Sequence, residues 1–520
     1  MGKLRFKPLL LISLLALIVA LVGCKDEEVS SESKDGKAKE ITVALGSGGA
    51  SYIEGHQDIN QDEYVKTTEK MAGVDLKLDV LPHENYEQNL QLLLAGGELP
   101  DLLQTKGINT PEIAPAIDAG VLMPLNDLLD KYGKNLKKHI PEESWNSPRV
   151  SKDGQIFGIP QENPIRNCCV TYVRQDWLDN LGLEVPKTVN EYVEMLRAFK
   201  TEDPNGNGKQ DEIPFSAREN FAFGHQFFAA YGVHPDAWSY EDGKLIPNFI
   251  KPEMKEALEV YQTLYDEKLL DNEFLVQQGK DWDAKILGSG VVGMWAQTSA
   301  APDAIVSKLK ANHPDAEVAI IPSPVGPSGE PGGVYPIGSS VSDYIWTIPQ
   351  DTENPEEVIK FMDWYYEQGN DEADQFFLYG LEEKDHTVEG DEVAYKYPET
   401  NEEVGRQFMY QQWIHFTGPK NYLTNEEFIK NKPNGDLIYH SLSVAEKEGV
   451  IDEGLEMPAM ETLKARPELD YDGLWLEFAA KVITGKESVD NFDTFVSDWK
   501  KRGGEDLVTE ATKWYNETQK

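Results

Sequence analysis

Apolar residues recur at helical spacing in Glu84–Gln104, ENYEQNLQLLLAGGELPDLLQ, where Leu90, Leu93 and Leu94 share one face. The stripe stops at Gly96-Gly97, and glycine ends a helix cheaply because it reaches left-handed backbone angles without strain. Pro100-Asp101 turns the chain into the short apolar run Leu102-Leu103. Upstream lie two strand-like runs, Ile41–Leu45 and the alternating Val74–Val80. The order strand, helix, strand, helix, strand predicts an open α/β sheet with right-handed crossovers. Ligands of such sheets bind beyond the carboxyl ends of the strands, where Gly46-Ser47-Gly48-Gly49 and Pro100-Asp101 lie.

Further along, Gly154–Pro160 reads as a strand broken by glycine and proline, suited to a crossing between lobes. Cys168–Leu183, CCVTYVRQDWLDNLGL, predicts a strand and then a helix capped by Asp176 and closed by Gly182. Phe221–Tyr231 and Lys255–Leu270 have the spacing of amphipathic helices. Ile286–Trp295 predicts a helix end, a glycine turn and a short strand ending in tryptophan. Val318–Ile321 and the alternating Ser340–Ile348 are strands on either side of a Gly- and Pro-rich loop, and the second would cross back. Pro355–Glu367 predicts a helix capped by Asn354, and Asp371–Glu403 is acidic and irregular. Phe408–Phe416 holds Trp413, and Gly473–Glu505 reads as two helices separated by Thr-Gly-Lys and stopped by Gly-Gly.

With 520 residues the chain is long enough for two or three domains, and 40% apolar content supplies large cores. A net charge of −42 repels nucleic acid and anionic membrane, so nucleic-acid binding is set aside. Three cysteines are too few for a disulfide framework. Cys168 and Cys169 read as two small apolar residues of a buried strand, with a vicinal disulfide or a metal site as the alternatives.

The N-terminus has a different pattern. Lys3, Arg5 and Lys7 precede Leu9–Val22, an apolar run shorter than the roughly 20 residues of a spanning helix. Leu21-Val22-Gly23-Cys24 resembles the bacterial lipobox, which implies a signal peptide over residues 1–23 and a diacylglycerol on Cys24; the alternative is an uncleaved signal anchor. Residues 24–39 are almost wholly polar and would form a flexible tether spanning roughly 20 Å.

Asp203–Pro214, DPNGNGKQDEIP, carries the sharpest chemistry. Oxygen side chains alternate at Asp203, Asn205 and Asn207, Gly208 holds the sixth position, and Asp211 and Glu212 follow. Hard oxygens converging from alternate positions of a tight loop suit Ca2+. The twelfth position is Pro214 rather than glutamate, so Glu212 would supply the late carboxylate. The alternative is an Asx-rich surface turn.

These segments together resemble the family 1 extracellular solute-binding proteins of ABC importers. The resemblance rests on AGGELPDLLQ at the end of the first helix, on the run from Cys168 through Val-Pro-Lys-Thr at 185–188, on Gly-Val-Val-Gly-Met-Trp ending at Trp295, and on the Gly473–Glu505 tail. It covers nearly all of Ile41–Lys520, and lipoprotein members from Gram-positive bacteria look nearest. It implies a two-lobe, periplasmic-binding-protein-like α/β fold (type II), with mixed sheets flanked by helices and a ligand cleft between the lobes. Residues 40–161 with about 320–347 would form lobe one, and 162–319 with about 348–520 lobe two. The calcium loop is similar to that of the alginate-oligosaccharide-binding members. That similarity implies a structural Ca2+ on Asp203, Asn205, Asn207, the Lys209 carbonyl, Asp211 and Glu212.

The implied function is capture of a carbohydrate, an oligosaccharide in particular, and delivery to the permease subunits of an ABC transporter by hinge closure. The chain would be a monomer, lipid-anchored on the extracellular face of the cell membrane and without enzymatic activity. Its eleven tryptophans and 22 tyrosines suit stacking on sugar rings. Trp295 is the first choice for a stacking wall, because it ends a glycine-rich strand, followed by Trp413, Tyr344 and Trp346. Gln161, Glu162 and Arg166 qualify by lying just after a crossing. No G-x-S-x-G, H-E-x-x-H or Walker A motif occurs in the sequence. A lipid-anchored glycosidase and a solute receptor for a sensor kinase are the alternative readings.

Overall fold

The computed structural model describes residues 38–518 except 111, 164, 167, 301, 328, 330, 368–370, 391, 399, 418–424 and 459. Cys24, the leader and most of the tether therefore lie outside the described residues. The chain divides into two compact units. Unit 1 runs to Glu162 and again from Val341 to Tyr422, and unit 2 comprises Asn163–Ser340 and Leu423–Lys520. The two central sheets are built from β1 (Lys39–Gly46), β2 (Val74–Leu81), β3 (Leu102–Thr105), β4 (Gly158–Glu162), β5 (Cys169–Arg174), β6 (Ile213–Phe215), β7 (Val292–Thr298), β8 (Val318–Ile321) and β9 (Val341–Thr347).

The sheet of unit 1 has the order β2-β1-β3-β9-β4. Its first three strands are parallel, and β9 runs antiparallel to both β3 and β4. In β1, Ile41, Val43, Ala44 and Leu45 are all buried, as expected of a strand covered on both faces. Edge strand β2 buries Leu76 and Leu78 and leaves Lys77 and Asp79 in water, so charge blunts its free edge. The intervening helix spans Tyr86–Gly96, and Gly97 stops it at φ +79°. Asp101, in the turn before β3, accepts from the Thr42 N–H and hydroxyl, which ties that turn to β1.

The sheet of unit 2 has the order β8-β5-β7-β6. Here β5 is antiparallel to both neighbours, while β6 and β7 run parallel. All of β5 is buried, and the helix Gln175–Leu181 follows it. Asp176 does not cap that helix; it takes the Arg174 guanidinium in two hydrogen bonds of 2.8 and 2.6 Å. The next helix, Val189–Thr201, opens with a reciprocal Thr188–Glu191 capping box.

The unit boundaries differ from those expected. Val318–Ile321, which the expected boundary near residue 320 would divide, is the edge strand of unit 2, and residues from about 348 to 422 belong to unit 1 rather than to the second lobe. The reason lies in packing. The helix Pro355–Trp364 buries Val358, Ile359, Phe361 and Met362 in the unit 1 core, and its Asp363 accepts from Leu136 N–H and Asn135 Nδ2. A helix's apolar stripe does not say which sheet it will cover. The acidic stretch is also more regular than expected, with a helix at Asp371–Tyr379 and a hairpin pairing His386–Glu389 with Glu392–Tyr395.

Candidate functional site

In unit 1 the carboxyl end of β1 runs into Gly46–Gly49. Gln104 Oε1, from β3, accepts from Gly46 N–H at 2.9 Å, and Trp413 donates its indole N–H to the Gly46 carbonyl at 2.7 Å. Tyr86 lies against Gly46 and donates to the Gln104 carbonyl, and half-buried Tyr344 meets the Tyr86 ring edge-on at 5.9 Å. Gly48 has φ +64° and faces the Phe408 ring, 3.1 Å from where a Cβ would stand, so a larger residue there would be strained in its backbone and would press on that ring. Ser47 donates to Glu54 at 2.6 Å. Trp413, 8% exposed in the unit 1 core, thus touches the loop where an open α/β sheet holds its ligand, and Tyr344 reaches that loop through Tyr86. Gln161 and Glu162 end β4; Glu162 accepts from Tyr366 Oη at 2.9 Å, and burial lifts its carboxyl above the ordinary value.

Two tryptophan expectations are corrected. Trp346 is completely buried, stacked on Phe416 at 4.4 Å, and its indole N–H donates to the Phe416 carbonyl. Trp295 is 1% exposed and stacked on Tyr172 at 5.6 Å, among Val170, Trp282, Leu309 and Val444. Neither offers a face to a solute. Strand alternation turns Trp295 toward the helices of unit 2 that cover its sheet. Arg166 lies in unit 2 just after the boundary, and its carbonyl accepts from Gly338 N–H at 2.8 Å.

Unit 2 has an aromatic platform that sequence reasoning missed. Beyond the carboxyl end of β6, the segment Arg218–Gly224 carries Asn220, Phe221 and Phe223 at φ +56°, +66° and +62°. Non-glycine residues seldom adopt such angles, and they cluster at functional sites. The distortion replaces the first turns of the expected helix, which is confined to Gln226–Ala230. Half-buried Phe223 stacks on Trp282 at 5.4 Å, meets the Tyr335 ring edge-on, and donates its N–H to Tyr335 Oη at 2.8 Å. Arg218 lies over the Phe223 ring at 5.7 Å and pairs with Glu219. An apolar ring face beside an ion pair suits a sugar, whose C–H face stacks while its hydroxyls exchange hydrogen bonds with charged groups. FAFG reads as part of an apolar helix, so the sequence gives no signal for these backbone angles.

At the carboxyl end of β7, Cys168 and Cys169 are joined in a vicinal disulfide. The expected pair of buried thiols is thereby corrected: Cys168 is exposed, and Cys169 packs with Ala296 and Val334 near Phe223 and Tyr335. Joining the sulfurs pulls together side chains that regular alternation would send to opposite faces.

The Asp203–Glu212 loop follows the helix Val189–Thr201. Asp203 turns the chain at φ +49°, and its carboxylate accepts from Asn207 N–H and Gly208 N–H. Asn205 Oδ1 accepts from Asn207 N–H, Asn207 Oδ1 from Lys209 N–H, and Asp211 from Asn207 Nδ2. Glu212 is buried, and neither carboxylate oxygen has a hydrogen-bond partner. Its pKa is raised by burial first, with the Asp211 and Asp203 charges adding to the rise. An orphaned buried carboxylate beside two further acids is an arrangement that a hard cation would satisfy, so the donor set fits Ca2+.

Residues 58–372, more than half of the chain, match the family described as bacterial extracellular solute-binding protein. Lipoprotein LipO of Bacillus subtilis (strain 168) is 25% identical over 520 residues, covering 99% of this chain and 99% of that protein. FusA of Streptococcus pneumoniae serotype 4, a fructooligosaccharide ABC transporter substrate-binding protein, is 26% identical over 73% of this chain and 72% of its own length. The solved FusA EF-hand mutant in complex with fructo-nystose matches with a TM-score of 0.65 at 21% identity, over 92% of this chain and 99% of that one. An HMO-binding, ABC-transporter-associated solute-binding protein from Bifidobacterium longum infantis gives a TM-score of 0.71 at 19% identity, over 93% of this chain and 99% of that one. With its two α/β units and this match, the chain belongs to the bacterial extracellular solute-binding protein family.

Proposed function

We propose that this protein captures an oligosaccharide outside the cell and delivers it to an ABC importer, held at the membrane by a lipid on Cys24. The observation that carries the carbohydrate reading is the Phe223–Tyr335 platform with its Arg218–Glu219 pair, raised on strained backbone at the carboxyl end of β6. The oligosaccharide-binding relatives FusA and the HMO-binding protein support the ligand class. In unit 1, Trp413, Tyr344, Gln161 and Glu162 are the proposed contacts; in unit 2, Arg166 joins the platform. Hinge closure about the chain crossings at 162/163 and 340/341 is part of the proposal, with the protein acting as a monomer and carrying out no chemistry on its solute.

Asp203, Asn205, Asn207, the Lys209 carbonyl, Asp211 and Glu212 would hold a structural Ca2+, a reading supported by the EF-hand named for FusA. When bound, the ion neutralises the buried Glu212 carboxylate and fixes the loop behind the helix Val189–Thr201.

A thermal-shift screen over neutral and acidic oligosaccharides, followed by calorimetry on hits, tests the ligand class. Ligand at about 100 times its dissociation constant adds ~2.7 kcal/mol of stability. Cleavage of a bound oligosaccharide would overturn the reading, and so would the absence of any stabilising carbohydrate. Ligand should also shrink the radius of gyration in small-angle scattering.

A further inference from the structure

Beside the aromatic platform lies a group of side chains that solute capture does not require. His225, at the start of the helix Gln226–Ala230, and His234 and Asp236, in the turn that follows it, bring ring nitrogens and a carboxylate oxygen within 4.8 Å of one another. His225 is buried, and neither of its ring nitrogens has a hydrogen-bond partner. A buried imidazole left so is costly, and native structures seldom tolerate it without a ligand or a water. The His234 ring meets that of His225 at 4.8 Å and is completely buried. Its Nε2 lies 2.5 Å from the Val334 carbonyl, which can only accept, so Nε2 carries a proton. Its Nδ1 lies 2.5 Å from Asp236 Oδ1.

We propose that His225, His234 and Asp236 form a site for a divalent first-row transition metal, Zn2+ by preference, in unit 2 beside Tyr335. Two imidazoles and one carboxylate make a borderline donor set, which suits Zn2+ and its neighbours better than Ca2+. The bond from His234 Nε2–H to a backbone carbonyl is the outer contact that metal-ligating histidines use to fix the ring and present the other nitrogen. Metal entering at Nδ1 displaces the proton shared with Asp236, which leaves to solvent. The His225 ring lies among Phe228, His234 and Tyr335 with both nitrogens unpartnered, so it can offer a lone pair to an incoming ion without first giving up a hydrogen bond.

The ion's place in the protein follows from what the residues touch. His225 lies 5.1 Å and His234 5.8 Å from the Tyr335 ring, and Val334, whose carbonyl holds His234, precedes Tyr335 in the chain. A metal there would fasten the residue that braces Phe223, so it is a staple of the platform rather than a catalyst.

The test uses the full untagged chain with excess Ca2+ present, titrated with Co2+ and followed by visible absorption. One equivalent should give the bands of tetrahedral, nitrogen-containing ligation, and Zn2+ should displace it. His225→Gln and Asp236→Asn each remove a direct ligand and should weaken Co2+ binding by at least about 100-fold, since loss of even an outer-shell partner costs roughly 10- to 100-fold. Circular dichroism serves as the fold control. Absence of tetrahedral bands in the wild type overturns the proposal, as do unchanged bands in a folded His225→Gln. Should His225→Gln fail to fold, the wild type and Asp236→Asn decide between these outcomes. Carbohydrate binding is not part of the readout, so the proposal fails or stands independently of the function inferred above.

Discussion

Glu448 is a carboxylic acid placed where charge is expensive. It follows the helix Gly435–Lys447 and is 5% exposed. Its Oε1 accepts from Ser323 N–H at 2.7 Å, and its Oε2 accepts from the Ser323 hydroxyl at 2.7 Å. Burial lifts its pKa from the ordinary 4.5 to about 7, although these hydrogen bonds oppose the rise. The unfolded chain gives up this proton near pH 4.5, while the folded chain keeps it until about pH 7. Between those values the folded state binds the extra proton, so stability falls as pH rises through the window and levels off above it. A difference of about 2.5 pH units at 1.36 kcal/mol each gives a loss of roughly 3 kcal/mol. Glu448→Gln keeps the volume, the acceptor for Ser323 N–H and a contact to the Ser323 hydroxyl, but cannot ionise. Urea unfolding of wild type and variant between pH 4.5 and 8, following the transition of unit 2, isolates the group, because every other titration cancels in the difference. The variant should gain about 3 kcal/mol on wild type across that range. A difference independent of pH would refute the reasoning.

Chelator should lower the melting temperature of the wild type and leave Asp203→Ala nearly unmoved; equal melting of the wild type with and without chelator removes the calcium. Phe223→Ala should weaken the oligosaccharide found by screening by about 1–2 kcal/mol, roughly 5- to 30-fold by calorimetry, with circular dichroism unchanged. Trp295→Ala should instead cost unit 2 about 3–5 kcal/mol of stability, because a fully packed indole is deleted. Unchanged melting together with lost sugar affinity would return Trp295 to the ligand.

What the sequence disclosed was local. The strands at Ile41–Leu45 and Val74–Val80 and the Gly96-Gly97 stop depend on neighbours a few residues away, and the structure has them. The oxygen spacing of Asp203–Glu212 is likewise contained in ten residues. Trp295 was misjudged because its burial is decided by Leu309 and Val444, the latter about 150 positions on. Trp346 was misjudged for the same reason, its partner Phe416 lying 70 residues away. The division at 348–422 escaped detection because an amphipathic helix reveals that it covers a sheet but not which one. Phe223 escaped because its left-handed backbone runs against its residue type, and context alone imposes it.

The interleaving of the two units has a consequence for biogenesis. Strand β9 lies inside the unit 1 sheet, between β3 and β4, yet it is the last of the five to be made. When the ribosome has passed β4, the sheet still lacks this inner strand, and about 180 residues of another unit must be synthesised before it arrives. Unit 2 waits longer still, since its core includes Trp475, Trp499 and Leu507 near the carboxyl terminus. Unit 1 lacks part of its sequence until residue 422 is made, and unit 2 until the last helix is, so most of the polypeptide is synthesised before either unit can close, and an unclosed chain is the state in which a protein can be threaded through a narrow export channel. For the same reason no cut at a single point releases an intact half: either unit made alone has to be stitched together from two stretches of sequence.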